Sequence, residues 1–472
     1  MLDPQETAGS RNNTERAIVK RDHAIVIGAS MAGLLTARVL SDHFRRVTIV
    51  DRDALPDQAE NRKGVPQGRH LHVLMVRGEQ IITDLFPGLP EELELAGAIR
   101  LVLSRDFLWF HEGGHKLRID TGLSMLSMSR PLLEANIRQR VRALPNVTWL
   151  EEHEVVRPLT MPDNRCVTGV AIRQQGPEGK GDPLAADFVV DASGRGSRTP
   201  RWLDELGYER PRESVVKVGL AYTTRIYRRD PLLLPEAQAI YTQPEPPQGK
   251  RIGGMFPIEG DRWMVSLGGW LGDHAPADEA GFLEFARTLA VDDIYRVISR
   301  AEPLTDAVTY AFPANLRHHY EQLTRFPEGY LVVGDAICSF NPVYGQGMSV
   351  AALEAVALGE LLERGRDGIA RAFFKQAAKV IANPWLIAVG ADFQFAGVEG
   401  PKPPLTDAIN WYMARVHRTA LHNPAAVRTF VQVLTMTRPP TAMFAPGLAL
   451  GVVRSKLARR HAQPEALIKQ AP

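Results

Sequence analysis

The sequence predicts an α/β protein. Its parallel sheet is built from discontinuous segments, an α+β, β-rich region is inserted between them, and a helical tail follows. Three observations predict this. "HAIVIGASMAGLLTARVL" (23–40) reads as strand, tight turn and helix, and "RRVTIVDRD" (45–53) supplies a second strand. "GYLVVGDA" (329–336) is another apolar strand, far along the chain, followed by a long helix in "GQGMSVAALEAVALGELLERG" (345–365). Between them, residues 205–320 alternate as strands plus one helix.

These readings divide the chain into a disordered tail at 1–22 and a nucleotide domain with early substrate-domain strands at 23–204. A substrate domain follows at 205–320, then a return segment at 321–384 and a helical region at 385–472. At 472 residues the chain exceeds one ordinary core, so joined domains are expected. "RPLLEANIRQRVRAL" (130–144) has helical spacing. "NVTWLEEHEVVRPL", "CVTGVAIRQQ" and "ADFVVDASG" read as strands, and "RIGGMFPIEGDRWMVSLGGW" (251–270) as a hairpin turning at 259–261.

Hydrophobic content of 44% and charged content of 23% are ordinary for a globular protein. A net charge of +2 gives no argument for a nucleic-acid partner. Cys166 and Cys338 are expected to be free thiols in a reducing, cytoplasmic compartment. No apolar run reaches membrane-spanning length, and the polar N-terminal residues lack the apolar core of a signal peptide.

The first turn, Gly28-Ala29-Ser30-Met31-Ala32-Gly33, follows a strand and opens a helix. That is the Rossmann setting in which helix N–H groups bind pyrophosphate. Ser30 stands where the middle glycine belongs; it is small, and its hydroxyl can donate to phosphate. Asp51, with Arg52 after it, ends the second strand about 20 residues on, where an acid accepts from ribose. The second motif joins Gly334 and Asp335 at a strand end to Pro342, Gly345, Gln346, Gly347 and Met348 at a helix start. An acid there can hold the hydroxyls of a sugar chain, and a glycine-bearing helix start can present N–H groups to an electron-rich ring edge. Two such sites fit FAD, with its ribityl chain and isoalloxazine ring, better than NAD.

The three segments "GASMAG", "VVDASGRGSRTP" and "VVGDAICSFNPVYGQGM" resemble the motifs of flavoprotein monooxygenases of the p-hydroxybenzoate hydroxylase fold, over most of the chain. The resemblance implies that Asp335 binds the ribityl chain, that Gly345–Met348 faces the pyrimidine end of the ring, and that Arg130 contacts FAD. It places Asp191 and Gly194 near the cofactor. "NRKGVPQGRHLHVLMVRG" (61–78) resembles the branch containing bacterial epoxidases of polyether biosynthesis, which puts Arg62, Lys63, Val65 and Gln67 beside the cofactor. The activity implied is transfer of one oxygen atom from dioxygen, through a flavin hydroperoxide, to an apolar alkene or electron-rich ring. It belongs to secondary metabolism, with NADH or NADPH as donor, directly or through a separate flavin reductase. A prenyl- or polyene-chain reductase and a flavin-dependent halogenase are the alternatives.

No side chain is expected to carry the chemistry, because the flavin does. There is no nucleophile elbow or zinc motif, and His70 with His72 lacks the acid or cysteine cluster a metal site requires. Met255 and Pro257 on one strand, and Trp263 and Val265 on the next, are the expected walls of a pocket for an apolar small molecule. Finally, "PPTAMFAPGLALGVVRSKLARRHAQ" (439–463) joins an apolar stretch to Arg454, Lys456, Arg459 and Arg460. It reads either as a weak peripheral membrane contact or as a helix packed on its own core.

Overall fold

The structure is a computed structural model that describes residues 21–174, 181–365 and 368–452. Five parallel strands form one sheet, in the order Tyr330–Val332, Phe188–Asp191, Arg21–Ile27, Phe44–Val50, Val147–Leu150. Their near-continuous apolar sequences suit strands covered on both faces, and Ala24, Ile25, Val26, Val47 and Val189 are fully buried. The register places Ile27 opposite both Asp191 and Val50, and Asp191 opposite Val332. The carboxyl ends of these strands are therefore level, so loops distant in sequence leave the sheet at one edge. Ligands of such sheets bind outside that edge.

Arg21 and Asp22 belong to the first strand rather than to the expected tail; residues 1–20 lie outside the described residues. The helix Met31–His43 packs beside the helix Gly347–Glu363, and a Cβ at Gly359 would come within 3.1 Å of Val39. Close packing thus joins the first and last nucleotide segments.

The second sheet has seven strands, in the order Cys338–Ser339, Val308–His318, Glu213–Arg228, Arg262–Gly269, Arg251–Ile258, Ala239–Thr242, Phe107–Phe110. It takes its two edge strands from outside 205–320. Helices Glu279–Arg287 and Asp293–Ile298 cover one face around Phe282, Phe285 and Ile294. Helices Thr406–Thr419 and Pro424–Leu434 pack near the other, burying Val416, Val427 and Val431 with Leu101, Phe107 and Trp109. The helix Ile369–Asp392 runs through Pro384, so the expected boundary after 384 falls inside a helix. Cys166 and Cys338 are free thiols. Among the described residues no helix is long and apolar enough to cross a membrane.

Candidate functional site

Three turns meet at the edge of the parallel sheet. Gly28 has φ +102°, and a Cβ there would lie 2.7 Å from the Ala192 carbonyl oxygen, so the first turn touches the "DASG" loop. A Cβ at Gly33 would lie 1.8 Å from the Gly28 carbonyl oxygen, which explains the last glycine of the motif. Gly334 has φ +66° and lies where a Cβ would be 2.7 Å from Ala32. The first and third motifs are thus in direct contact.

The missing glycine has a structural answer. Ser30 begins the helix Met31–His43, but its side chain does not cap it. Ser30 Oγ donates to Glu134 Oε2 at 3.1 Å and accepts from Arg130 Nη2 at 2.9 Å. The hydroxyl that can donate to a phosphate is here engaged in a buried ion cluster. Ser129 caps the helix Arg130–Arg142 and so sets Arg130 and Glu134 on its first turns. Glu134 also accepts from Arg62 Nε at 2.9 Å. Burial alone would raise the Glu134 pKa, but Arg130 and Arg62 outweigh it and hold the carboxylate below its usual range. Arg62 further meets Asp53 at 3.0 Å and Asp51 at 3.4 Å. Asp51 itself accepts from Ala29 N at 2.6 Å, bracing the turn before it.

Asp335 is exposed by surface area yet closely surrounded, the condition of a side chain lining an internal cleft. This crowding raises its pKa, while Arg130 and Arg195 oppose the shift. A Cβ on Gly347 would approach only Asp335 Oδ1, at 3.9 Å, and Cβ atoms on Gly194 or Gly196 would meet nothing within 4 Å. The cleft also holds buried polar atoms without a protein partner, Arg62 Nη2 and Gln346 Oε1. One unsatisfied donor, one unsatisfied acceptor, open glycine faces and a reachable carboxylate fit a polyhydroxylated, phosphate-bearing cofactor such as FAD.

Several expected residues lie elsewhere or act differently. Asp191 is fully buried, and both its oxygens are taken by Ser193, Ser197 and Thr199 at 2.5–2.9 Å. It orders the central loop instead of facing a ligand. Arg195, which the sequence reading passed over, faces Asp335 from that loop and bonds the Ala314 carbonyl oxygen at 2.7 Å. Met31, Val65 and Met348 are buried, Gln67 is half-buried, and Arg52 and Lys63 are exposed. His70 Nδ1 pairs with Thr224 Oγ1 at 2.8 Å and His72 Nδ1 with the His70 carbonyl oxygen at 2.9 Å. No metal-binding cluster occurs among the described residues.

An apolar cavity lies between the seven-stranded sheet and the C-terminal helices. Phe107, Trp109, Tyr241 and Phe256 wall it with Phe430, and Pro342 to Gly345 forms part of its boundary. The loop 342–345 is therefore shared with the glycine–aspartate motif. No Asp, Glu, Lys, Arg or His lines this cavity. The expected hairpin is at the cavity but presents its other face. Met255, Trp263 and Val265 are buried against Phe282 and Ile294, and Pro257 shares their side, paired with Trp263; Gly254, Phe256 and Ser266 line the cavity. Strand alternation defines two faces, but both are apolar here, so only the covering helices decide which is core.

The model of an FAD binding domain matches residues 21–372. Protein Rv3254 of Mycobacterium tuberculosis (strain ATCC 25618 / H37Rv) is 35% identical over 388 residues, covering 79% of this chain and 81% of that protein. The flavin-dependent brominase Bmp2 superposes with a TM-score of 0.66 at 14% identity, covering 93% of this chain and 100% of Bmp2. PqsL of Pseudomonas aeruginosa, a probable FAD-dependent monooxygenase, gives a TM-score of 0.55 at 17% identity, covering 86% of this chain and 98% of PqsL. At those identities the two structures share the fold. The chain belongs to the FAD binding domain family and is an FAD-dependent oxidoreductase with the fold of flavoprotein monooxygenases and halogenases.

Proposed function

We propose that this protein is a monooxygenase that places one oxygen atom of dioxygen on an apolar alkene or electron-rich ring, by epoxidation or hydroxylation, with NADH or NADPH as electron donor. The observation that carries this reading is the shared loop. Residues 342–345, part of the glycine–aspartate motif, also bound a cavity with no Asp, Glu, Lys, Arg or His among its described lining residues. A dry, apolar space beside the cofactor suits oxygen transfer, which needs water excluded more than it needs an acid–base pair. The resemblance of residues 61–78 to the polyether epoxidase branch favours epoxidation of a secondary metabolite.

In this reading Asp335 accepts from ribityl hydroxyls, and the N–H groups at Gly345 to Met348 face the ring edge. Arg130 and Arg62 Nη2 supply charge to the pyrophosphate and ribose region. Bound FAD supplies the two-electron reaction with dioxygen. Tyr241 and Phe256 hold the substrate against the shared loop and keep water away. The nicotinamide donates directly or through a separate flavin reductase.

The test is product mass under ¹⁸O₂ with FAD, NADPH and a panel of uncharged polyenes and polycyclic phenols. One labelled atom per product is expected. Halide incorporation, or saturation of a double bond without oxygen, would replace this reading with the halogenase or reductase alternative.

A further inference from the structure

The charge of this chain is unevenly distributed. Residues 401–472 carry ten Lys and Arg against two Asp and Glu, whereas residues 1–400 carry 46 against 52. A nearly neutral protein thus holds its positive excess in residues 401–472, of which Arg454, Lys456, Arg459, Arg460 and Lys469 lie outside the described residues. The same region exposes large apolar side chains. Leu405 is 75% exposed, Trp411 57%, Phe444 53% and Leu450 55%. Two of them are linked through Tyr412. Trp411 precedes Tyr412, whose ring stacks on Phe444 with centroids 4.9 Å apart, and Phe444 to Gly447 form a continuous exposed run. The Arg415 guanidinium lies 3.4 Å over the Trp411 ring, leaving an aromatic side chain under a cation at the surface. In the same C-terminal region Phe430, Leu434 and Thr435 wall the apolar cavity.

We propose that the C-terminal helices dock on an anionic lipid surface, with Trp411, Phe444 and Leu450 entering the acyl region and Arg415, Arg428 and Arg438 facing head groups. Positive charge alone would suit any polyanion. Exposed tryptophan, phenylalanine and leucine beside that charge suit an interface with an apolar interior, where aromatic rings sit at head-group level. Met443, Leu448 and Val452 are buried in the protein, so the segment packs on its own core with one side and presents the other outward. Its outer side would bring the wall of the apolar cavity to the membrane surface. The proposal concerns attachment and does not depend on the oxygen-transfer reading.

The test uses the full-length, FAD-loaded protein and sedimentation with vesicles of phosphatidylcholine, with or without about one third phosphatidylglycerol. Binding is expected to the anionic vesicles, weaker at 0.5 M salt and slight on phosphatidylcholine alone. The double variant Trp411→Ser/Phe444→Ser should keep its FAD and its Tm and partition roughly tenfold or more weakly, since each ring contributes apolar transfer. Should that variant fail to fold, wild-type tryptophan fluorescence with acyl-brominated lipid gives the same information. Trp411 is the exposed tryptophan, and quenching is expected. No binding of wild type to anionic vesicles at low salt overturns the proposal. So does vesicle binding that neither the double variant weakens nor brominated lipid reports, or retention on heparin without vesicle binding.

Discussion

Ser30 and Glu134, 104 residues apart in sequence, are joined by a 3.1 Å hydrogen bond that fills the place of a fingerprint glycine. Among the described residues, Glu134 is the only carboxylate that meets Ser30, Arg62, Arg130 and Arg138 together. Replacing it with alanine removes the carboxylate partner of Arg130, whose side chain is 7% exposed, while Arg62 keeps Asp51 and Asp53. Glu134→Ala should cost about 3–5 kcal/mol of stability. Urea unfolding of the FAD-free protein measures it, and a loss under 1 kcal/mol would show that the cluster does not hold the turn.

Asp335→Ala should weaken FAD binding roughly tenfold or more, since a hydrogen bond to an ionised group contributes about 1.5–3 kcal/mol. Fluorescence titration of the FAD-free protein reads this directly.

Gly347→Val makes a sharper distinction. Only Asp335 Oδ1 lies within 4 Å of the added Cβ, so the protein has room for it, whereas the proposed cofactor position does not. The variant should unfold like wild type in its FAD-free form and purify without flavin. A yellow variant with full FAD content would remove the ring from this helix start.

The glycine turns and the glycine–aspartate strand end were legible in the sequence because they obey local backbone rules. Gly28, Gly33 and Gly334 each sit where a Cβ would collide. What local rules do not encode is which groups meet across the fold. Ser30 read as a phosphate donor because Glu134 is distant in sequence. Asp191 read as a cofactor ligand although Ser193, Ser197 and Thr199 follow closely in sequence, because the residue pattern does not show that the loop folds their hydroxyls back onto it. Trp263 read as pocket because its strand has two apolar faces and the helices that bury one of them come later in the chain.

Trp263→Ala therefore belongs to stability rather than specificity. The side chain is 1% exposed among Phe282, Val265 and Ile294. A loss of about 3–5 kcal/mol is expected in denaturant unfolding, with substrate preference unchanged in the fraction that folds.

Glu354 introduces a pH dependence. Burial pushes its carboxyl up to about 8; the Gly334 N–H, 2.6 Å away, lowers it and Asp335 raises it. The folded state keeps this proton to about pH 8, whereas the unfolded chain releases it near the usual 4.5. Its contribution to stability is therefore full below about pH 4.5 and falls as pH rises to 8, by an amount on the order of a few kcal/mol. Glu354→Gln stays neutral and can still accept from Gly334. Relative to wild type it should gain stability between pH 5 and pH 8, and equal slopes in urea unfolding across that window would contradict the assignment.

A crystal structure of the FAD-loaded protein tests the central claim most directly. The account predicts the Asp335 carboxylate within hydrogen-bond distance of a ribityl hydroxyl and the ring against residues 342–345, with one face open to the cavity bounded by Tyr241 and Phe256. A flavin ring held away from that loop, or separated from the cavity by protein, would contradict it.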